Sequence, residues 1–170
     1  MNRKEKCKYL LIICISIISA ISLSANPRMK RTINEKWAFH KGDIKGAEAI
    51  DFDDSKWDNI VLPHTWNIED VEDEPYGWYR GIGWYRREVP ISNIEENRRL
   101  FITFEGANQV SEVWFNGEKL GTHIGGYTPF TFEITGLAKE GQKNILAVKM
   151  DNSHNEDIAP LSADFTFYGG

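Results

Sequence analysis

Apolar residues recur at every second position in one segment after another of this chain, and no segment stands out with helical spacing. Leu100, Ile102 and Phe104 alternate with Phe101, Thr103 and Glu105, and Phe130, Phe132 and Ile134 alternate with Thr131 and Glu133. Successive side chains of a strand point to opposite faces, so this alternation predicts strands with one face buried. The series continues through Trp84 to Ile91, Val110 to Phe115, and Asn144 to Met150, where Leu146, Val148 and Met150 share a face. At least five strands therefore follow one another with no crossover helix between them. Parallel neighbours need such a crossover, so the expected sheet is largely antiparallel. Enough strands for two layers give an all-β fold, a sandwich or jelly roll.

Turn chemistry agrees. Asn116-Gly117 lies between Val113-Trp114-Phe115 and Lys119-Leu120, and a type I′ hairpin turn needs positive φ at both central positions, which Asn and Gly supply at least cost. Gly136 and the polar group Glu140 to Lys143 flank a short helical turn predicted at Leu137 to Lys139. Asp53-Asp54-Ser55, just before Lys56-Trp57, has the make-up of a cap or Asx turn.

The first 25 residues are set apart. Arg3, Lys4, Lys6 and Lys8 form a basic start, Tyr9 to Leu23 is almost wholly apolar, and Ser22, Ser24 and Ala25 are small. This is the layout of a secretory signal peptide, with cleavage favoured after Ala25. The apolar run is short for a bilayer, which takes about 20 residues, so no membrane span is expected once the signal is removed. Both cysteines, Cys7 and Cys14, leave with it, so residues 26–170 must stand on their core without a disulfide. An exported domain, periplasmic or extracellular, is the expectation. The segment also takes four basic residues and one acid, leaving 16 basic and 24 acidic residues, a net charge of −8. Nucleic-acid binding needs clustered Lys and Arg to displace phosphate counterions, so that partner is disfavoured.

The whole chain has 170 residues, fewer than the roughly 200 of the smallest (β/α)8 barrels. One domain, residues 26–170, is the simplest division, and its final run Asp164-Phe165-Thr166-Phe167-Tyr168-Gly169-Gly170 reads as cut in the middle of something.

Several blocks in fixed order carry a resemblance: Trp37-Ala38-Phe39, Phe52 to Trp57, Pro63-His64-Thr65-Trp66-Asn67, Gly83-Trp84-Tyr85-Arg86-Arg87, Val113 to Gly117, Gly125 to Phe130 and Asn144 to Val148. Together they resemble the N-terminal sugar-binding domain of glycoside hydrolase family 2, the β-galactosidase and β-glucuronidase family. The resemblance implies a galactose-binding-like jelly roll opening a longer chain, followed by an immunoglobulin-like sandwich and a (β/α)8 barrel that carries two catalytic glutamates. It implies a carbohydrate partner, with β-galactosides favoured, and a C-terminal barrel missing from this sequence. It also assigns Asp164 a role, because the matching aspartate of the β-galactosidases reaches into the barrel and contacts the sugar.

The residues themselves offer little catalysis. Glycoside hydrolysis needs two carboxyls about 5–5.5 Å apart for retention or roughly 6.5–9.5 Å for inversion, and the densest carboxylates, Glu69 to Glu74, read as a solvated loop. His64 has no Ser, Cys or Asp partner fixed by spacing, and His40, His123 and His154 lack ligand spacing, so no catalytic residue, metal or cofactor is expected. Of the six tryptophans, Trp84 and Trp114 sit in strands where burial is their ordinary use, and Trp37, Trp57 and Trp66 fall in packing blocks. Trp78 and Tyr79, in the loop Tyr76 to Gly81, are the aromatic pair expected to be exposed to sugar. The substrate-binding candidates are thus Asp164, Trp78 and Tyr79. The competing expectation is a free-standing carbohydrate-binding module.

Overall fold

The computed structural model describes residues 28–66 and 79–158. The leader, the acidic run Glu69 to Glu74, Trp78, and Asp164 to Gly170 lie outside the described residues. The chain divides at Thr32/Ile33. In the first unit, residues 28–32 are exposed and irregular.

Among its described residues the second unit holds eight strands: β1 Trp37–Lys41, β2 Asp58–Ile60, β3 Ile82–Glu88, β4 Phe101–Phe104, β5 Val110–Phe115, β6 Glu118–Ile124, β7 Phe130–Glu133 and β8 Ile145–Asp151. Six of them form one sheet in the order β2-β1-β3-β8-β5-β6, and β4 and β7 form a second. Every pairing is antiparallel. The chain crosses between sheets at β3–β4, β4–β5, β6–β7 and β7–β8, so the fold is the expected antiparallel β-sandwich.

The alternating residues face the expected ways. Ile102 is buried and Phe104, Phe130 and Phe132 pack on the core, while Phe101, Thr103, Thr131 and Glu133 are exposed. Opposite them the large sheet presents Phe39, Tyr85, Val148 and Val113 in one row across β1, β3, β8 and β5. Gly121 on β6 receives the Phe132 ring, where a Cβ would stand 2.6 Å from Cε1.

The outer face of the large sheet is covered as well, a feature that alternation did not anticipate. Arg86 on β3 points outward yet is only 1% exposed. Its Nε donates to Asp54 at 2.8 Å, and its terminal nitrogens donate to the carbonyls of Ala47, of Ala49 at 2.9 Å, and of Phe52 at 3.5 Å. The guanidinium also lies 5.2 Å from the centre of the Phe52 ring. A fork with five donors thus straps residues 43–57 onto the sheet. Beneath that cover Ala47, Trp57, Trp84 and Ala147 form a second small core. The Asx turn expected at Asp53 is present, with Ser55 N donating to Asp53 Oδ1 at 3.0 Å.

Asn116 and Gly117 both have positive φ, 54° and 82°, as a type I′ hairpin requires. The Asn116 side chain also bonds Ile145 N, Leu137 O and Asn144 Oδ1, each at 2.8–2.9 Å, and ties the hairpin to the start of β8. The helical turn begins earlier than predicted, since Leu137 N and Ala138 N both donate to Ile134 O. β3 runs Ile82–Glu88 rather than Trp84 to Ile91, because Pro90 has no N–H to offer a ladder. β1 and β2 are strands that the alternation argument did not mark.

Removing the guanidinium leaves three carbonyls and Asp54 without their donor. We expect Arg86→Met to cost about 3–5 kcal/mol in urea unfolding, the range for breaking a buried pair, and Asp54→Asn, at a half-open position, to cost less.

Candidate functional site

Tyr79, the one sequence candidate among the described residues, lies at the end of the sandwich where β3 begins and β8 ends. Asn152, just past β8, is 2% exposed. Its Oδ1 accepts from Gly81 N at 2.8 Å, its Nδ2 donates to Tyr79 O at 3.2 Å, and its backbone N donates to Gly81 O at 3.0 Å. This clamp fixes the chain as it enters β3. Gly81 has φ +149° and a Cβ there would stand 3.0 Å from the Tyr79 hydroxyl, so glycine is required twice over.

Tyr79 is half-buried. Its hydroxyl donates to Ile82 O at 2.9 Å, its ring lies 5.7 Å from Trp66, and Lys41 Nζ sits 5.2 Å from its centre. Trp66 and Tyr79 are the last and first described residues on either side of the segment containing Trp78. They stand in ring contact. Trp78 and Asp164 lie outside the described residues.

An aromatic nest stands behind Tyr79 on the inner face. Trp66 Nε1 donates to the Tyr85 hydroxyl at 2.8 Å, and that hydroxyl is 2.9 Å from His64 Nδ1. With one lone pair filled by the indole, the hydroxyl proton has His64 Nδ1 as its acceptor, which a neutral imidazole satisfies. Phe39 closes the group, 4.7 Å from His64 and 6.0 Å from Trp66 between ring centres. Burial lowers the His64 pKa from its ordinary value, with a smaller opposing pull from Asp58, and pushes the Tyr85 phenol up. The indole N–H, the phenol and His64 Nδ1 are bonded to one another, so this end is suited to holding a surface in place. Among the described residues no group of three or more His, Cys, Asp or Glu could hold a metal ion, and no helix is long and apolar enough to cross a membrane.

Comparison with known proteins now adds the family. Residues 28–159 match the model of the glycosyl hydrolases family 2 sugar binding domain. The chain belongs to glycosyl hydrolase family 2. A β-glucuronidase of Bacteroides fragilis is 38% identical over 91% of this chain and 21% of its own length, and a β-galactosidase of Thermoanaerobacter pseudethanolicus is 35% identical over 81% of this chain and 19% of its own. Among solved structures, Bacteroides uniformis β-glucuronidase 2, covalently bound to cyclophellitol-6-carboxylate aziridine, superimposes with a TM-score of 0.78 at 42% identity, covering 85% of this chain and 17% of that one. The chain thus spans about a fifth of the length of the curated relatives it matches.

The sequence marked Tyr79 as exposed to sugar, whereas it is half-buried against Trp66 with its hydroxyl on Ile82 O, and the residues that support it went unmarked. Asn152 and Lys41 become relevant only once β8 and β1 have brought them beside β3, and neither carries a local signal.

Two outcomes follow for the nest. At Gly83 a Cβ would stand 2.5 Å from Trp66 Cζ2 and 3.0 Å from Phe39 Cε2, and Trp66 is pinned by Tyr85. Gly83→Ala should therefore destabilise by about 1–3 kcal/mol and weaken the near-ultraviolet dichroism of the aromatic cluster. His64 has a folded pKa below its unfolded value of about 6.5. Its contribution is therefore complete above about pH 6.5 and is lost as pH falls toward the folded value. Thermal melts between pH 7.5 and 5.5 should show a smaller loss for His64→Gln than for the unmutated protein.

Proposed function

We propose that this chain is the N-terminal supporting domain of an exported glycosidase that hydrolyses β-linked glycosides, with β-glucuronides as its substrate class. One observation carries the proposal: the family match runs through residues 28–159, while the chain spans only about a fifth of its relatives. Hydrolysis would then belong to carboxylates outside this sequence, and the work of the sandwich would be to brace them and wall one side of their cleft. A misplacement of about 1 Å in such a cleft can cost on the order of 100-fold in rate, which gives a rigid support its value.

The preference for β-glucuronides over the β-galactosides favoured from the sequence rests on the relatives. The two β-glucuronidases cited are 38% and 42% identical, against 35% for the β-galactosidase. The inhibitor bound to the Bacteroides uniformis enzyme also bears a 6-carboxylate. Export rests on the basic, apolar and small-residue order of residues 1–25. Asp164 is the residue we assign to the sugar, with Trp78 and Tyr79 as the aromatic candidates. Tyr79 supplies a ring face only, since its hydroxyl is engaged by Ile82.

The natural product should be captured with an antibody to the domain and its mass, first residue and activity measured. We expect a mass several times 19.5 kDa, a first residue near position 26, and hydrolysis of 4-methylumbelliferyl β-D-glucuronide faster than of the galactoside. In that full-length protein Asp164→Ala should raise KM on the order of 10-fold or more, the loss of a charged hydrogen bond. A secreted product a little lighter than 19.5 kDa with no hydrolysis would support a free-standing carbohydrate-binding module instead.

A further inference from the structure

The outer face of the large sheet is not wholly covered. Beside the strapped segment an open trough of about 570 Å³ runs over β3, β8 and β5. The Asp43 to Glu48 stretch forms one wall, Trp84 and Lys149 the floor, and Glu112 and Trp114 the other wall. The two indoles meet at 5.2 Å between centres and 30° between planes, although their strands are not neighbours. They can do so because the residue opposite Trp114 on the intervening β8 is Ala147, too small to separate them. Trp84 is buried and Trp114 is partly exposed, so Trp114 offers the aromatic surface.

The polar groups around it are paired and held. Asp43 accepts from Trp84 Nε1 at 3.1 Å and from Lys149 Nζ at 3.2 Å, and these bonds lower its pKa, the indole bond most. Glu112 pairs with Lys119, whose Nζ lies 5.4 Å from the Trp114 ring centre. The Lys119 side chain is 45% exposed and its ion pair is a surface one. Such pairs are loosely held, so the Lys119 stem can shift off the ring while its Nζ stays beside Glu112.

We propose that this trough is a carbohydrate-binding site for a neutral pyranose, stacked on Trp114 with its hydroxyls bonded by the Asp43–Lys149 and Glu112–Lys119 pairs. A pyranose presents a face of weakly positive C–H groups, which complements the negative face of an indole ring. Its rim of hydroxyls both donates and accepts, as an ion pair requires on its two sides. The carboxylates around the trough, Asp43, Glu48 and Glu112, are matched in number by Lys45, Lys149 and Lys119, so it has no net charge for a uronate or an amine to answer. Its volume lies within the roughly 300–1,000 Å³ of small-ligand sites. The site is independent of the hydrolysis proposed above, because every group in it belongs to this chain.

The test titrates the whole chain with lactose, cellobiose and methyl β-D-glucuronide, followed by tryptophan fluorescence and calorimetry. We expect saturable binding of a neutral disaccharide at about millimolar Kd, with the glucuronide weaker. Trp114→Ala should weaken binding at least 10-fold, and Glu112→Ala, on the open rim, should weaken it several-fold while the melting temperature stays near that of the parent. No binding of either disaccharide, tighter binding of the glucuronide, or undiminished binding by a folded Glu112→Ala variant would overturn the proposal. Because hydrolysis is not read, failure here leaves the glycosidase reading standing, and failure of that reading leaves this site standing.

Discussion

The guanidinium of Arg86 sits out of water between a sheet and a segment with no strand or helix of its own. A charge in that position is tolerable only when its donors are used, because an uncompensated buried ion costs several kcal/mol. The carbonyls of Ala47, Ala49 and Phe52, with Asp54, meet that demand. They can do so only if residues 43–57 lie flat over β1, β3 and β8. The cover buries Trp57, Trp84 and Ala147, and its leading stretch becomes the wall of the Trp114 trough. One side chain therefore sets both what the outer face hides and what it leaves open.

A different device fixes the ends of the sandwich. Three asparagines hold loops that have no ladder to join: Asn144 accepts from Lys139 N and donates to Lys139 O and Gln142 O, Asn116 reaches Ile145 and Leu137, and Asn152 clamps Gly81 and Tyr79. Asparagine suits this work because its amide donates and accepts at once, matching the two sides of a peptide bond. A buried backbone group left without a partner costs about as much as a lost hydrogen bond. The asparagines thus let sharp loop geometry persist where strands stop.

These devices also explain which parts of the structure the sequence disclosed. β4 and β7 were legible because each buries one face, so Ile102 and Phe132 contrast with Phe101 and Glu133 in plain period two. β8 gave the same signal through Leu146, Val148 and Met150, yet Ile145 and Ala147 are buried too. Its second buried face depends on the Arg86 cover, and nothing within residues 145–151 announces a cover contributed by residues 43–57. β2 is three residues long and β1 ends in His40 and Lys41, too little alternation for a local signal. At the candidate site the aromatic, glycine-rich loop read as exposed at Tyr79, whereas that ring is half-buried against Trp66. Asn152 gave no signal, because an asparagine's partners are chosen by tertiary structure and leave no mark on its neighbours.

The two faces of the large sheet divide the chemistry. On the inner face His64 Nδ1, Tyr85 and Trp66 bond one another, which gives stiffness at the end where Tyr79 and Asn152 hold the chain. On the outer face the Asp43–Lys149 and Glu112–Lys119 pairs are satisfied too, but they stand at an open surface where water or a hydroxyl can join them without breaking a core. Satisfied and enclosed groups give a rigid support; satisfied and open ones give a prearranged site, whose side chains need little ordering when a ligand binds. The same alternation along β3, with Tyr85 inward and Trp84 and Arg86 outward, supplies residues to both. A substitution that shifted β3 by one residue would exchange the faces and lose the two roles together.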